Sequence, residues 1–269
     1  TGTGKLTLDG TLTTAGTITV SNGILAIAGS AQLTNSPTLN VRTGGTLDMT
    51  AAPGGGLTLG THIAQTLNGG GTILGNLTVG SGSTVQPGDG IGTLTVSGTA
   101  ALNGTVRMEL NRTNSPATND VIAAGSYSAS GTLIVTNLGP DLVAGDKFKL
   151  FSTAVTGFSS VILPTNNLAN TITYTWNNKL AVDGSIEVLT AGSGVNTNAT
   201  NLTAVFSPGS VTLSWPASHI GWTLQSQTNS QAIGLSTNWV NVAGSSTTNS
   251  VTLTVNPTNG AVFFRLKYP

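Results

Sequence analysis

Short alternations of apolar and small polar residues recur along the first half of the chain. Leu6/Leu8, Ile18/Val20, Leu25/Ile27, Leu39/Val41, Leu47/Met49, Leu57/Leu59, Leu77/Val79, Leu94/Val96 and Val106/Met108/Leu110 have a single residue between successive apolar members, most often Thr, Ala or another small residue. A period of two puts one set of side chains inward and the other outward, so each pair predicts a short β-strand. Gly, Asn, Ser and Pro interrupt the chain between the pairs. No stretch of ten residues carries the 3.6-residue period of an amphipathic helix. Very short strands, frequent Gly-rich corners and Thr at outward positions favour a parallel β-helix over antiparallel hairpins. In such a helix every strand has a neighbour on both sides and like residues stack. The spacing between pairs is irregular.

The texture changes near residue 115. Val121-Ile122, 132–135, 146–151, 171–176, 179–182 and 185–189 read as strands, with more aromatic residues and longer loops such as 163–170. The exposed end of a solenoid needs cover, and this segment is the expected cap. Residues 190–200 read as a small, polar linker. Beyond them, Val211/Leu213/Trp215, Trp222/Leu224, Val240/Val242, Val251/Leu253/Val255 and Val262/Phe264/Leu266/Tyr268 each line one strand face, and 202–206 offers another strand. That pattern suits a small immunoglobulin-like sandwich, with Trp215, Trp222 and Trp239 expected to fill its core. The expected fold is therefore all-β: a parallel β-helix over 1–114, a β-rich cap over 115–189, the linker, and a C-terminal β-sandwich over 201–269.

Charge narrows the function. Only 7% of the 269 residues are charged, and nine basic residues balance nine acidic ones. No basic field attracts nucleic acid or anionic lipid, and a neutral surface resists self-association poorly. With no cysteine, disulfides, thiolate metal sites and cysteine nucleophiles are excluded. No apolar run is long enough to span a membrane. The chain opens at Thr1 without Met, and the expectation is a removed leader or a longer parent chain.

Residues 75–98 resemble the autotransporter-associated β-strand repeat of exported bacterial proteins. The likeness lies in Gly75-Asn76-Leu77-Thr78-Val79 and in Gln86-Pro87-Gly88-Asp89-Gly90-Ile91-Gly92-Thr93-Leu94. Residues 119–188 resemble the end of such a passenger, through Asn119-Asp120, 144–151, Leu163-Pro164, Tyr174-Thr175-Trp176 and 183–186. The resemblance implies a β-helical passenger on a bacterial cell surface. The roughly 80 residues after 189 are too few for the membrane barrel that classical members carry. The ending, with Leu213-Ser214-Trp215-Pro216, Gly221-Trp222-Thr223-Leu224-Gln225 and Phe263-Phe264-Arg265-Leu266, is similar to C-terminal modules of large bacterial surface proteins.

Candidate chemistry is sparse. His62 and His219 lie in different expected domains without companion ligands, so no zinc site is expected. Glycoside hydrolysis normally needs two carboxylates about 5–10 Å apart, and the first 115 residues offer only Asp9, Asp48, Asp89 and Glu109. Asp89 suits a turn, Glu109 alternates with Arg107 on an outward face, and Asp48 reaches Arg42 only across a turn. Asp120, Asp141 and Asp146 lie in loops that lack the patterns of calcium sites. Gly88–Gly92 has the glycines of a phosphate loop but no helix to follow them. Tyr127, Tyr174 and Trp176 could meet sugars if exposed, but Tyr174 and Trp176 share a face expected to lie in the cap core. Asn76, Asn103, Asn111, Asn198 and Asn201 head five sequons and are candidate glycosylation positions.

No catalytic, cofactor or metal residue is expected. The primary expectation is a non-enzymatic extracellular structural protein that polymerises with itself into a surface fibre. Its candidate assembly strand is 261–268, with Val262, Phe264, Leu266 and Tyr268 on one face and Phe263 on the other. An adhesin or polysaccharide-binding passenger is the alternative, and a β-helical carbohydrate-active enzyme is a distant third.

Overall fold

A computed structural model of the chain describes residues 3–10, 15–113, 118–169, 171–193 and 197–268. The chain divides into two compact units: Thr1–Thr165 with Tyr174–Ala191, and Gly192–Pro269 with Asn166–Thr173.

The first unit is a β-solenoid of stacked parallel coils. In one stack Lys5–Asp9, Gly23–Ala28, Gly45–Ala51, Thr72–Leu74 and Thr93–Leu102 follow one another, all parallel. A second stack, Gly56–Leu59 then Asn76–Val79, also ends on Thr93–Leu102. That long strand therefore serves both, and Val121–Ala129 stacks on its full length. A register shift between Val96 and Thr99 marks the corner between the two stacks. Gly98 sits there because an added Cβ would stand 2.3 Å from the Asn76 side-chain oxygen. The third stack, a separate sheet, runs Ile18–Val20, Thr38–Val41, Thr66–Asn68, Thr84–Gln86, Thr105–Asn111, Thr132–Asn137 and Ser160–Ile162.

The expected alternation sets the interior. Ile18, Leu39, Leu67, Val85, Val106, Leu133 and Val161 are successive partners in the third stack. Leu39, Leu67, Val85, Val106 and Leu133 are almost wholly shielded from water. Each buried Leu or Val contributes about 1.5–3 kcal/mol, and the ladder repeats that gain at every rung. The Gly88–Gly92 stretch is a corner, as its composition predicts. Gly88 and Gly90 adopt φ of +83° and +89°, a region other residues enter at a cost.

The parallel stacking does not end near residue 114, where the change of texture suggests a boundary. Val121–Ala129, Thr132–Asn137 and Ser160–Ile162 are further rungs, and Phe151 makes one more parallel bridge to Ile122. The longer corners and aromatic residues of this region leave the rungs in register. Beside them Lys147–Lys149, Ser185–Ser193 and Ile172–Lys179 form a three-stranded sheet. Phe148, Leu150 and Phe151 are fully buried. The backbone N–H groups of Leu150 and Phe151 both donate to the Gly184 carbonyl, and Ile122 N–H donates to Leu150. Ser185–Ser193 continues as strand into the expected linker, whose residues 194–196 fall outside those described.

The second unit holds two three-stranded sheets. One orders Thr203–Ser207, Ser210–Ser214 and Ser250–Thr254; the other orders Val240–Asn241, Thr223–Asn229 and Ala261–Lys267. All these pairings are antiparallel. Both sheets feed one apolar cluster of Val211, Leu213, Trp215 and Leu224, with Leu253, Phe264 and Leu266 packed against it. Trp239 is not in that core. The Arg265 guanidinium lies 4.2 Å above its ring, and Arg265 Nε also donates to Gln225. Trp222 is buried between His219 and Tyr268. An amphipathic ring covered by a guanidinium is an alternative to core burial that the spacing of tryptophans does not reveal.

Candidate functional surfaces

The outward positions of the third stack repeat as strictly as the inward ones. Thr38, Thr66, Thr84, Thr105, Thr132 and Ser160 are successive partners, spaced at the usual strand separation of about 4.8 Å. Beside them Thr19, Asn40, Asn68 and Gln86 form a second row. Its side chains bond from rung to rung: Asn68 Nδ2 donates to Asn40 Oδ1 at 3.1 Å, and Gln86 Nε2 donates to Glu109 at 3.3 Å. The wall is thus a lattice of hydrogen-bonding groups, neutral apart from Arg107 and Glu109 on Thr105–Asn111.

Several acidic residues of the first unit are held in ion pairs. Asp48 pairs with Lys5 at 3.1 Å, two strands away in the stack, and not with Arg42. It also accepts from the Thr50 hydroxyl at 2.6 Å, and that bond leads the causes that lower its pKa. Arg42 instead meets Asp89 at 3.4 Å. Asp146 pairs with Arg112 at 2.8 Å and accepts the Val143 N–H at 2.8 Å. Among the described residues no three His, Cys, Asp or Glu side chains converge as a metal site.

One carboxyl stands apart. Asp120 is completely buried. Its Oδ1 accepts the Gly92 N–H and its Oδ2 the Glu109 N–H, both at 2.8 Å, while its own N–H donates to the Glu109 carbonyl. It therefore ties the Gly92 corner to the strand Thr105–Asn111. Burial pushes its pKa up to about 7, against the two N–H bonds that favour the charged form; the nearby Glu109 adds to the rise. Glu109 is half-buried, and its Oε2 has no hydrogen-bond partner among the described residues. Sequence reasoning placed Asp120 among loop carboxylates and did not join it to Glu109. The two lie eleven residues apart across a corner, and only the coil brings them together. Both oxygens of Asp120 are thus engaged by backbone N–H groups.

The aromatic candidates point inward. Tyr127 OH donates to the Ile122 carbonyl at 2.6 Å and accepts the Ala124 N–H, and its ring meets Phe151 edge-on at 5.3 Å. Tyr174 is buried and its OH accepts from Leu142 N–H. Trp176 Nε1 donates to the Pro164 carbonyl at 2.6 Å. His62 is exposed, whereas His219 is buried, with Nε2 2.8 Å from the Asn198 carbonyl.

Four sequon asparagines, Asn76, Asn103, Asn198 and Asn201, are exposed, and Asn111 is half-exposed. Asn76 Oδ1 accepts the Thr99 N–H and Asn103 Oδ1 the Ser130 hydroxyl, so both side chains tie rungs together. Asn111 Oδ1 accepts from both the N–H and the hydroxyl of Thr113, closing its own sequon into a tight turn.

In the second unit the strand Ala261–Lys267 pairs in continuous register with Thr223–Asn229 of its own chain. Phe264 and Leu266 join the core, Val262 lines a groove, Tyr268 rests on Trp222, and Phe263 lies half-buried. The groove, of about 450 Å³, opens between the two sheets beside Phe206, Leu253, Val255, Val262 and Phe264. It exists because the inward row of Thr223–Asn229 changes from Leu224 to Ser226 and Thr228, which are too small to fill it.

No protein-family model matches the chain, and no curated protein matches it either.

Proposed function

We propose that the chain is a non-enzymatic structural protein of a bacterial cell exterior, a passenger-type β-helix that associates with copies of itself. In this reading the sheet beside the last rungs serves as a cap, and the second unit is an immunoglobulin-like module. The observation that carries it is the lattice of stacked rungs, apolar inside and largely neutral outside, with Asp48, Asp89, Asp120 and Asp146 engaged in ion pairs or backbone bonds that hold the coils together. Such a wall gives length and rigidity, and its lack of net charge leaves little repulsion between copies. The candidate assembly strand 261–268 presents one edge to Thr223–Asn229 and leaves the other unpaired among the described residues. Electron microscopy of the purified full chain tests the reading: ordered polymers or oligomers are expected, and monodisperse monomers at high concentration would refute it. Adhesion to a surface polysaccharide is the second reading, favoured by the hydroxyl and amide rows of the third stack. A glycan array reports on it directly.

A further inference from the structure

The reading as a self-associating protein leaves open which surface joins the copies. The strand Thr203–Ser207 is an edge: among the described residues it pairs only with Ser210–Ser214. All five of its residues are exposed, including Val205 at 58% and Phe206 at 77%. Natural edge strands are usually blunted by a charge, a proline or a bulge, and Thr-Ala-Val-Phe-Ser contains none. Ala204 and Phe206 border the groove, which is left unfilled by Ser226 and Thr228. Unpaired backbone donors and acceptors beside an apolar trough call for an extended chain.

The strand's own sequence says which chain fits. In a two-fold antiparallel pairing centred on Val205, Phe206 of each copy faces Ala204 of the other on the groove side. On the opposite side Thr203 faces Ser207, and the two Val205 residues face each other. Large meets small and hydroxyl meets hydroxyl, which is the self-complementarity that a two-fold interface requires. We infer that Thr203–Ser207 is a homodimerisation edge, pairing with the same strand of a second copy to make a continuous six-stranded sheet. This inference rests on the proposed self-association and assigns it a surface.

The chain has no cysteine, so Val205→Cys introduces a single thiol at the symmetry centre. Directly opposed antiparallel residues lie about 4.5–5.5 Å apart at Cα, within disulfide reach. Mild oxidation of the full-length Val205→Cys chain is expected to give a covalent dimer much faster than Thr58→Cys, an exposed position on the solenoid wall. In sedimentation velocity, Val205→Lys is expected to weaken association about ten-fold or more, because two like charges would be opposed. At a position this exposed the fold should tolerate lysine, and circular dichroism checks that. If the wild-type chain assembles but Val205→Cys cross-links no faster than Thr58→Cys, the edge is not the interface, and self-association stands through another surface. If the wild-type chain stays monomeric and the Val205→Cys chain does not cross-link, both readings fall.

Discussion

Asp120 makes the solenoid's stability depend on pH in a direction opposite to that of most acidic residues. In the unfolded chain this carboxyl releases its proton near 3.8; in the folded chain it holds it up to about 7. Between those values the native state binds more protons than the unfolded state, so stability falls as pH rises and levels off above the folded value. Between pH 5 and pH 8 the difference corresponds to a loss of about 2.5 kcal/mol. The other shifted carboxyls lie on the opposite side. Asp48 is lowered chiefly by the Thr50 hydroxyl and Asp183 chiefly by Lys147, so each contributes stability that is lost only as pH falls through the carboxylate range. The replacement Asp120→Asn removes the titration while keeping size. At pH 5 the neutral acid offers a carbonyl and a hydroxyl oxygen to the two N–H groups, whereas the Asn NH2 that replaces the hydroxyl cannot accept, so the variant should cost about 1–3 kcal/mol there. Urea unfolding of wild type and variant at pH 5, 6, 7 and 8 measures both effects. The wild type should lose stability across the series relative to Asp120→Asn, and the two should converge toward pH 8. Parallel pH profiles, or a wild type that gains stability relative to the variant, would show that Asp120 is not held neutral in the fold.

Three further outcomes follow from the packing. Leu67→Ala removes a wholly buried rung from the middle of its ladder and should cost about 2–5 kcal/mol in the denaturation midpoint. Gly131→Ala would place a Cβ 1.8 Å from the Gly104 carbonyl oxygen of the rung beneath, so it should destabilise by about 1–3 kcal/mol or more, read as a fall in melting temperature. Trp215→Ala should cost about 3–5 kcal/mol, whereas Trp239→Ala, which loses mainly its stacking with Arg265, should cost about 1 kcal/mol; guanidinium unfolding followed by tryptophan fluorescence distinguishes the two.

The alternation of Leu, Ile and Val with Thr carried most of the solenoid's architecture, because period two directly dictates which side chains turn inward. Coil length was not legible. Asn40 and Asn68 stack at a separation of 28 residues, while Gln65 and Ser83 bond across 18. Corners absorb such differences without disturbing the rungs, so no fixed period exists to be read. The same tolerance explains the boundary expected near 115. Thr132-Leu133 repeats Thr105-Val106 and was the available sign that the coils go on, but aromatic residues and long loops around it masked the repeat. Asp120 shows a different limit: its neighbours Gly92 and Glu109 are joined to it only by winding, and no local motif announces the site. For Trp239, composition and position suggested core, and the deciding partner, Arg265, lies 26 residues further on in another strand.

The rungs are not equally fastened. Between Val121–Ala129 and Thr93–Leu102 pairing runs from Thr93 to Leu102, and Thr105–Asn111 meets Thr132–Asn137 along six successive positions. One coil earlier the first stack is joined through Thr72 with Thr95 and Ile73 with Val96, the second through Leu77, Thr78 and Val79 with Ala100, Ala101 and Leu102, and the third through Thr84 with Thr105 and Val85 with Val106, about half as many paired positions. The interstrand hydrogen bonds of a solenoid lie along its axis, so a tensile load on the rod passes through every rung in series. Under such a load this seam would open before the one that follows it, where the paired positions are twice as many, so the coils of Thr93–Asn111 and Val121–Asn137 would stay together as one piece.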